Sequence, residues 1–248
     1  MAPFPVARGL EADEASRGVK GDMPVLGRSR PMAEFRTPIS MEGQYIRLVP
    51  LRRSHVAGLT KAGKDPEIWR WMRFGYCGTP EAMGRMVEVL LDRQAQGIDL
   101  PFTVLLRPDD RPVGMTRYLD IDRPNRNVEV GGTWYSSDLW RTAVNTESKL
   151  LMLANAFETE GCERVQIKTD LRNVRSQRAI ERLGAVREGV LRQHIVLPDG
   201  TLRDSVVYSI LRPEWPAARR LLQQALERPW SPPLAPGRRR RSDGAARI

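Results

Sequence analysis

Apolar residues recur at Leu150, Leu153, Ala154 and Phe157, the i, i+3, i+4, i+7 spacing of a helix that buries one face. The pattern predicts a helix from about Asn145 to Glu160, entered through the polar first half of "WRTAVNTESKLLML" (140–153). Elsewhere the period changes. "QYIRLVPL" (44–51) reads as a first strand, followed by a polar helical stretch. "PEAMGRMVEVLLDRQAQG" has Thr79 as its cap and Pro80 in its first turn, and runs as a helix to Gly97. Three strands are predicted within "PFTVLLRPDDRPVGMTRYLDIDRPNRNVEVGGTWYS" (101–136), divided by turn residues at "RPDDRP" and "DRPNRN". "RVQIKTD" (164–170) alternates as a strand, and "NVRSQRAIERLG" (173–184) is a short amphipathic helix that Gly184 stops. Two strands joined by a turn at "PDG" (198–200) follow, then a final helix in "EWPAARRLLQQALERPW" (214–230). No internal repeat is found. Strands first, then helix and strand, then helix and hairpin, predict a single α/β (α+β) sheet domain.

Composition adds little until it is divided along the chain. A hydrophobic share of 41% and a charged share of 28% over 248 residues fit a soluble globular protein with a sizeable core. No apolar run approaches the roughly 20 residues of a membrane span, so no membrane association is expected. "MAPFPVARGLEADEASRG" lacks an apolar h-region, so a cytoplasmic setting is expected. Cys77 and Cys162 have no redox or metal spacing, and His55 and His194 cannot by themselves form a His-based metal cluster. No metal is expected. The formal net charge is +10, but residues 237–248 carry five Arg against one Asp, and residues 1–40 six basic against five acidic residues. The modest basic excess left for the rest suits an anionic ligand. "PWSPPLAPG" reads as a Pro-rich linker. The expected organisation is a flexible extension over 1–40, a domain over 41–228 and a Pro/Arg-rich tail over 229–248.

The polar start of the 145–160 helix admits two readings. A helix N-terminus carries unpaired N–H groups and partial positive charge, which together hold phosphate. Equally, Asn145 or Thr146 can serve as an ordinary cap. Two neighbours favour an anion seat: "NVEVGGTWY" before it carries one carboxylate in an apolar, Gly-rich strand, and the next strand leads to a second polar loop, "TDLRNVRS". Both loops follow strands, where open α/β sheets place ligands.

With these residues the chain resembles the GNAT superfamily of acyl-CoA-dependent N-acetyltransferases over about residues 43–212, and within it the branch of ribosomal-protein N-terminal acetyltransferases. The resemblance rests on "EVG" (129–131), "WRTAVNTES" (140–148), "NVRS" (173–176) and "RLGA" (182–185), in order and at fitting spacing. It implies a central mixed, mostly antiparallel twisted sheet flanked by helices. It also implies acetyl-CoA as co-substrate, with Val130, Gly131, Arg141, Thr142, Ala143, Val144, Asn145, Thr146 and Asn173 binding it, the pyrophosphate lying on the amides of 141–146. Arg141 and Ala143 depart from the family, which has glycine at both places. Arg141 either adds a phosphate contact or points to water.

The chemistry follows from the nucleophile. An amine is mostly ammonium at neutral pH, with a pKa near 10.4 for lysine-type groups and about 7.7–8.0 for an α-amine, so the site needs a base. Glu129 is the candidate, on the strand that in the family runs beside the acetyl group; the other reading is a surface Glu on an exposed strand face. A backbone N–H around Val130 to Gly132 would serve the oxyanion. Many relatives protonate the thiolate with a Tyr, but Ile180 stands there in this chain, which leaves Ser176 to donate through water. Trp69, Trp71, Phe74, Trp134 and Tyr135 either shape an acceptor pocket or belong to the core. His194, Asp204 and Ser205 read as structural. The expected activity is direct acetyl transfer to an amine, a protein N-terminus or a small molecule; a homodimer is open. Two other classes stand against it: a nucleic-acid-associated protein using the Arg tail, which is disfavoured as a partner reading, and a catalytically silent CoA-binding module.

Overall fold

The computed structural model describes Phe35 and residues 39–232. The flexible extension and the Arg-rich tail expected from the sequence lie almost entirely outside those residues. Eight strands form one sheet: β1 (Met41–Glu42), β2 (Ile46–Pro50), β3 (Leu100–Leu106), β4 (Arg111–Asp122), β5 (Asn127–Tyr135), β6 (Arg164–Asp170), β7 (Val186–Val196) and β8 (Leu202–Leu211). The helices are α1 (Val56–Ala62), α2 (Pro80–Ala95), α3 (Ala143–Ala154), α4 (Val174–Glu181) and α5 (Trp215–Leu226). The strand order is β1-β2-β3-β4-β5-β6-β8-β7. All pairs are antiparallel except β5 with β6.

That parallel pair is short. It joins Asn127 to Arg164, Val128 to Val165 and Glu129 to Gln166, and stops. From Val130 onward the β6-facing backbone of β5 has no strand partner, so the sheet opens there. A bulge sharpens the change. On β4, Arg117 pairs with Gly131 but Met115 with Trp134, so β5 carries an extra residue. Gly132 sits in that bulge at φ +56°, and a Cβ there would lie 2.7 Å from Arg117 Nε. Only glycine fits without moving the arginine.

Strand alternation sorts the two faces. Val128, Val130, Val165 and Ile167 enter the larger core, with Tyr118, Val206, Tyr208 and the apolar faces of α3 and α5. The residues between them, Glu129, Gln166 and Lys168, face the other way. On that side a second core forms beneath α1 and α2 from Leu59, Trp69, Met83, Met86, Leu90, Met115 and Trp134.

Local signals place the helices. Thr79 Oγ1 accepts from Ala82 N–H at 3.2 Å and Pro80 opens α2, as the sequence predicts. Asn173 Oδ1 accepts from Ser176 N–H at 3.0 Å and starts α4. The helix that opened the sequence reading differs at both ends. Its cap is Thr142, not Asn145 or Thr146, with Thr142 Oγ1 accepting from Val144 N–H at 3.4 Å. Its α-helical part ends at Ala154, and Asn155–Thr159 widens into a π-type turn. The apolar stripe marked the buried face correctly but carried no information on where the ladder changes pitch. Phe35, inside the expected extension, packs edge-on against Tyr118 at 4.8 Å. Trp230, inside the expected tail, packs against Tyr45 at 5.2 Å.

Candidate functional site

A cavity of about 320 Å³ runs through the gap between β5 and β6. It joins the start of α3, on one face of the sheet, to the charged face beneath α1 and α2. Of the residues singled out from the sequence, Glu129, Val130, Gly131, Arg141, Thr142, Asn145, Thr146, Asn173 and Ser176 line it. Val144 is fully buried in the larger core and Ala143 packs against that core, and neither lines the cavity.

At the α3 end the cavity is basic. Arg141, at the turn into α3, and Arg175, in the first turn of α4, line it, and the loop is braced by Trp140, whose ring lies 3.6 Å from the Arg175 guanidinium. Trp140 Nε1 donates to Tyr135 carbonyl at 3.2 Å, which fixes the platform. Arg141 takes φ +63°, a left-handed conformation that costs a side-chain-bearing residue about 1–2 kcal/mol. The backbone shape that glycine would adopt is therefore kept although the glycine is gone. Amides at the helix start, a basic surround and an open strand edge suit a phosphate group followed by an amide-bearing arm.

Glu129 lies where the gap begins. It is buried, 5% exposed, so the surface-strand reading of this residue is overturned. The reason is tertiary: β6 and the α1–α2 side cover the face it points from. Lys168 Nζ lies 2.7 Å from Glu129 Oε2, and Gln166 Nε2 donates to the same oxygen at 3.4 Å. Burial pushes the Glu129 carboxyl above the usual carboxylate range, with the Lys168 charge opposing that rise. Burial pulls the Lys168 ammonium the other way, but Glu129 and Asp120 outweigh it and hold the charge. The pair sets a carboxyl that is more basic than a surface Glu beside a lysine whose charge is held.

Four residues that sequence reading did not select complete the site. Arg117 (β4), Lys168 (β6), His194 (β7) and Arg203 (β8) all line the cavity. Arg117 is held by the fully buried Asp99 at 3.3 Å. His194 Nδ1 and Ser205 Oγ are 3.0 Å apart, and burial lowers the His194 pKa first, then the nearby Lys168 and Arg203 charges. A lone charge in an apolar strand was the signal that found Glu129, and "VGMTRYL" carried the same signal for Arg117. Among the aromatics, Trp69 and Trp134 pack together at 4.9 Å in the second core, and Trp134 also lines the cavity, at whose wall Trp71 and Phe74 are half-buried. Ile180 is buried at 5% exposure, so no phenol occupies that place. Cys77 and Cys162 are buried free thiols whose pKa burial pushes up to about 11 and about 12. Among the described residues no helix is long and apolar enough to cross a membrane, and no group of three or more His, Cys, Asp or Glu gathers as metal ligands.

Residues 46–186 match the model of the acetyltransferase (GNAT) domain family. A solved T. thermophilus protein, named an acetyltransferase by inference, is 38% identical, with a TM-score of 0.70 over 77% of this chain and 98% of that one. YdaF of Bacillus subtilis (strain 168), provisionally named a ribosomal N-acetyltransferase, is 30% identical over 102 residues, 41% of this chain and 55% of that protein. Mycobacterium smegmatis RimJ, solved in complex with CoA-disulfide, shares the fold at 20% identity and a TM-score of 0.66, over 76% of this chain and 95% of its own.

Proposed function

The chain belongs to the acetyltransferase (GNAT) domain family, and from that premise we propose that it moves the acetyl group of acetyl-CoA directly to a primary amine, in a protein N-terminus or a small molecule. One observation carries the reading: the cavity connects an anion-favouring helix start to a buried carboxylate through a gap in the sheet. The name of the YdaF relative supports a protein N-terminus as acceptor, and the modest cavity supports a small amine equally well.

The residues present fit acetyl-CoA. The amides of Arg141 to Thr146, with the Arg141 and Arg175 side chains, would hold its diphosphate, and the open edge of β5 would receive its amide-bearing arm. When bound, acetyl-CoA supplies an activated thioester whose C–S bond is exchanged for a C–N bond to the amine, leaving CoA as a thiolate. Glu129 Oε takes the proton that the acceptor nitrogen sheds and returns it to water in the cavity. Lys168, 2.7 Å away, favours the ionised form of that carboxyl and holds it in place. Backbone N–H groups around Val130 to Gly132, freed from any β6 partner, face developing negative charge on oxygen. Ser176 Oγ, in the first turn of α4, would hold a water on the thiolate side, from which the departing sulfur takes its proton.

Thiol release from acetyl-CoA across a panel of peptides and small amines, with the product identified by mass, tests the reading. Glu129→Gln should lower turnover by about 10²–10⁴-fold with little change in the acetyl-CoA KM. The deficit should narrow at high pH, where more of the amine is already free. Because burial raises the Glu129 carboxyl, the wild-type acidic limb should lie above the ordinary carboxylate range and vanish in the variant. Binding of CoA without release on any amine would favour a silent CoA-binding module instead.

A further inference from the structure

Arg203 on β8 is 8% exposed, yet its Nε has no hydrogen-bond partner and no carboxylate of the described residues lies within salt-bridge distance of it. An unpaired buried charge is costly, and a protein normally retains one only where something else meets it. Burial lowers its pKa, with Asp170 and Glu129 near enough to oppose that loss but too far to pair. Asp170 is already taken by Arg172 at 2.8 Å, and Glu129 by Lys168 at 2.7 Å. The guanidinium lines the same cavity as Glu129, on the face beneath α1 and α2, away from the α3 start. Two further cations face that end. Arg117 is buried with its own Nε unpartnered, and the exposed Arg73 lies near enough to depress both the Arg117 and the Arg203 pKa.

Resting on the acetyl-transfer reading, we infer that the acceptor amine carries a carboxylate, received by Arg203 with Arg117 and Arg73 beside it, while its nitrogen faces Glu129. The arrangement is complementary to a zwitterion: a carboxylate in the site meets the ammonium end, and a cationic group meets the acid end. A guanidinium fork suits a carboxylate well, and pairing offsets the burial of both. The carboxylate can belong to a free amino acid or to an acidic residue at a peptide N-terminus.

Two matched acceptor pairs distinguish these sources: alanine against alaninamide, and a dipeptide amide beginning with Asp against one beginning with Asn. Each is assayed with the wild type and with Arg203→Met, so that differences in amine basicity cancel between the proteins. The wild type should favour the anionic member of at least one pair, and Arg203→Met should remove about 10–100-fold of that preference through acceptor KM, the neutral member losing far less than the anionic one. Thermal melting provides a control. Arg203→Met should melt no lower than the wild type, because it removes an unpaired buried charge; a large fall would mark a structural arginine, and Arg203→Lys would then be compared for the same preference. Calorimetric binding of each acceptor reads the anion site independently of transfer. Discrimination in binding with no thiol release would overturn the acetyl-transfer reading alone. Transfer with equal use of both members of each pair, or equal loss on both in Arg203→Met, would overturn the anion site alone.

Discussion

At the scale of single residues, burial of charge on one side of the sheet has an opposite on the other. Lys149, in the second turn of α3, is 5% exposed, and its Nζ donates to Thr133 Oγ1 at 2.7 Å, with no carboxylate beside it among the described residues. Burial lowers its pKa to about 7. An unfolded lysine titrates near 10.4, so between about pH 7 and 10 the unfolded chain binds more protons at this position than the folded one. Stability from this group therefore rises with pH across that window and is constant below it, by at most about 1.4 kcal/mol per pH unit. Lys149→Met should be more stable than the wild type at pH 6, with the difference shrinking toward pH 10. Parallel denaturation profiles for the two proteins would contradict this. The sequence placed Lys149 on the helix, but its apolar surroundings come from β5 and the sheet, which sequence periodicity does not specify. Glu129 was legible as a lone carboxylate in an apolar strand; that it is buried beside Lys168 was not, because Lys168 lies 39 residues further on in a different strand.

At the scale of elements, α3 serves two ends of the fold. Its start faces the cavity, and one turn later Glu147 reaches back to the first strands. The Glu147 carboxylate accepts from the backbone N–H of Gln44 at 2.6 Å and of Tyr45 and Ile46 at 2.8 Å each. Gly43 allows the approach, since a Cβ there would lie 2.4 Å from the Glu147 carboxyl carbon. Three donors on one buried carboxylate make a clamp between α3 and the entry to β2. Glu147→Gln turns an amide NH₂ toward those donors, so it should cost about 1–3 kcal/mol, a fall of several degrees in Tm, without altering the acetyl-CoA KM. An unchanged Tm would mean that water replaces the carboxylate at no cost. The motif "WRTAVNTES" marked the helix start from sequence, but it suggested a cap three or four residues too late. Thr142 is the cap because Arg141 has already taken the left-handed turn, and a left-handed arginine cannot be anticipated from propensity.

At the scale of the whole molecule, the sheet and both apolar cores are complete within the described residues, and the edges of the expected domain shift by aromatic contacts. Truncation after Pro232 should leave Tm unchanged, whereas truncation after Arg228 removes Trp230 from Tyr45 and should lower it by a few degrees. A large loss on truncation after Pro232 would show that residues 233–248 contribute to the domain. What the sequence determined by itself was local: the order of strands and helices, the cap at Thr79, the turns at "RPDDRP" and "PDG", and the loops that carry the family's motifs. Those follow from side-chain period, cap chemistry and backbone preference over a few residues. Only the tertiary structure decided where β5 leaves β6, that β8 lies between β6 and β7, and that Arg117, Glu129, Lys168, His194 and Arg203 share one cavity. Strand pairing joins segments far apart in the chain. The energy of a charge depends on the solvent and partners that pairing leaves around it, so the same arginine is a solvated surface group or half of a binding site according to what folds over it.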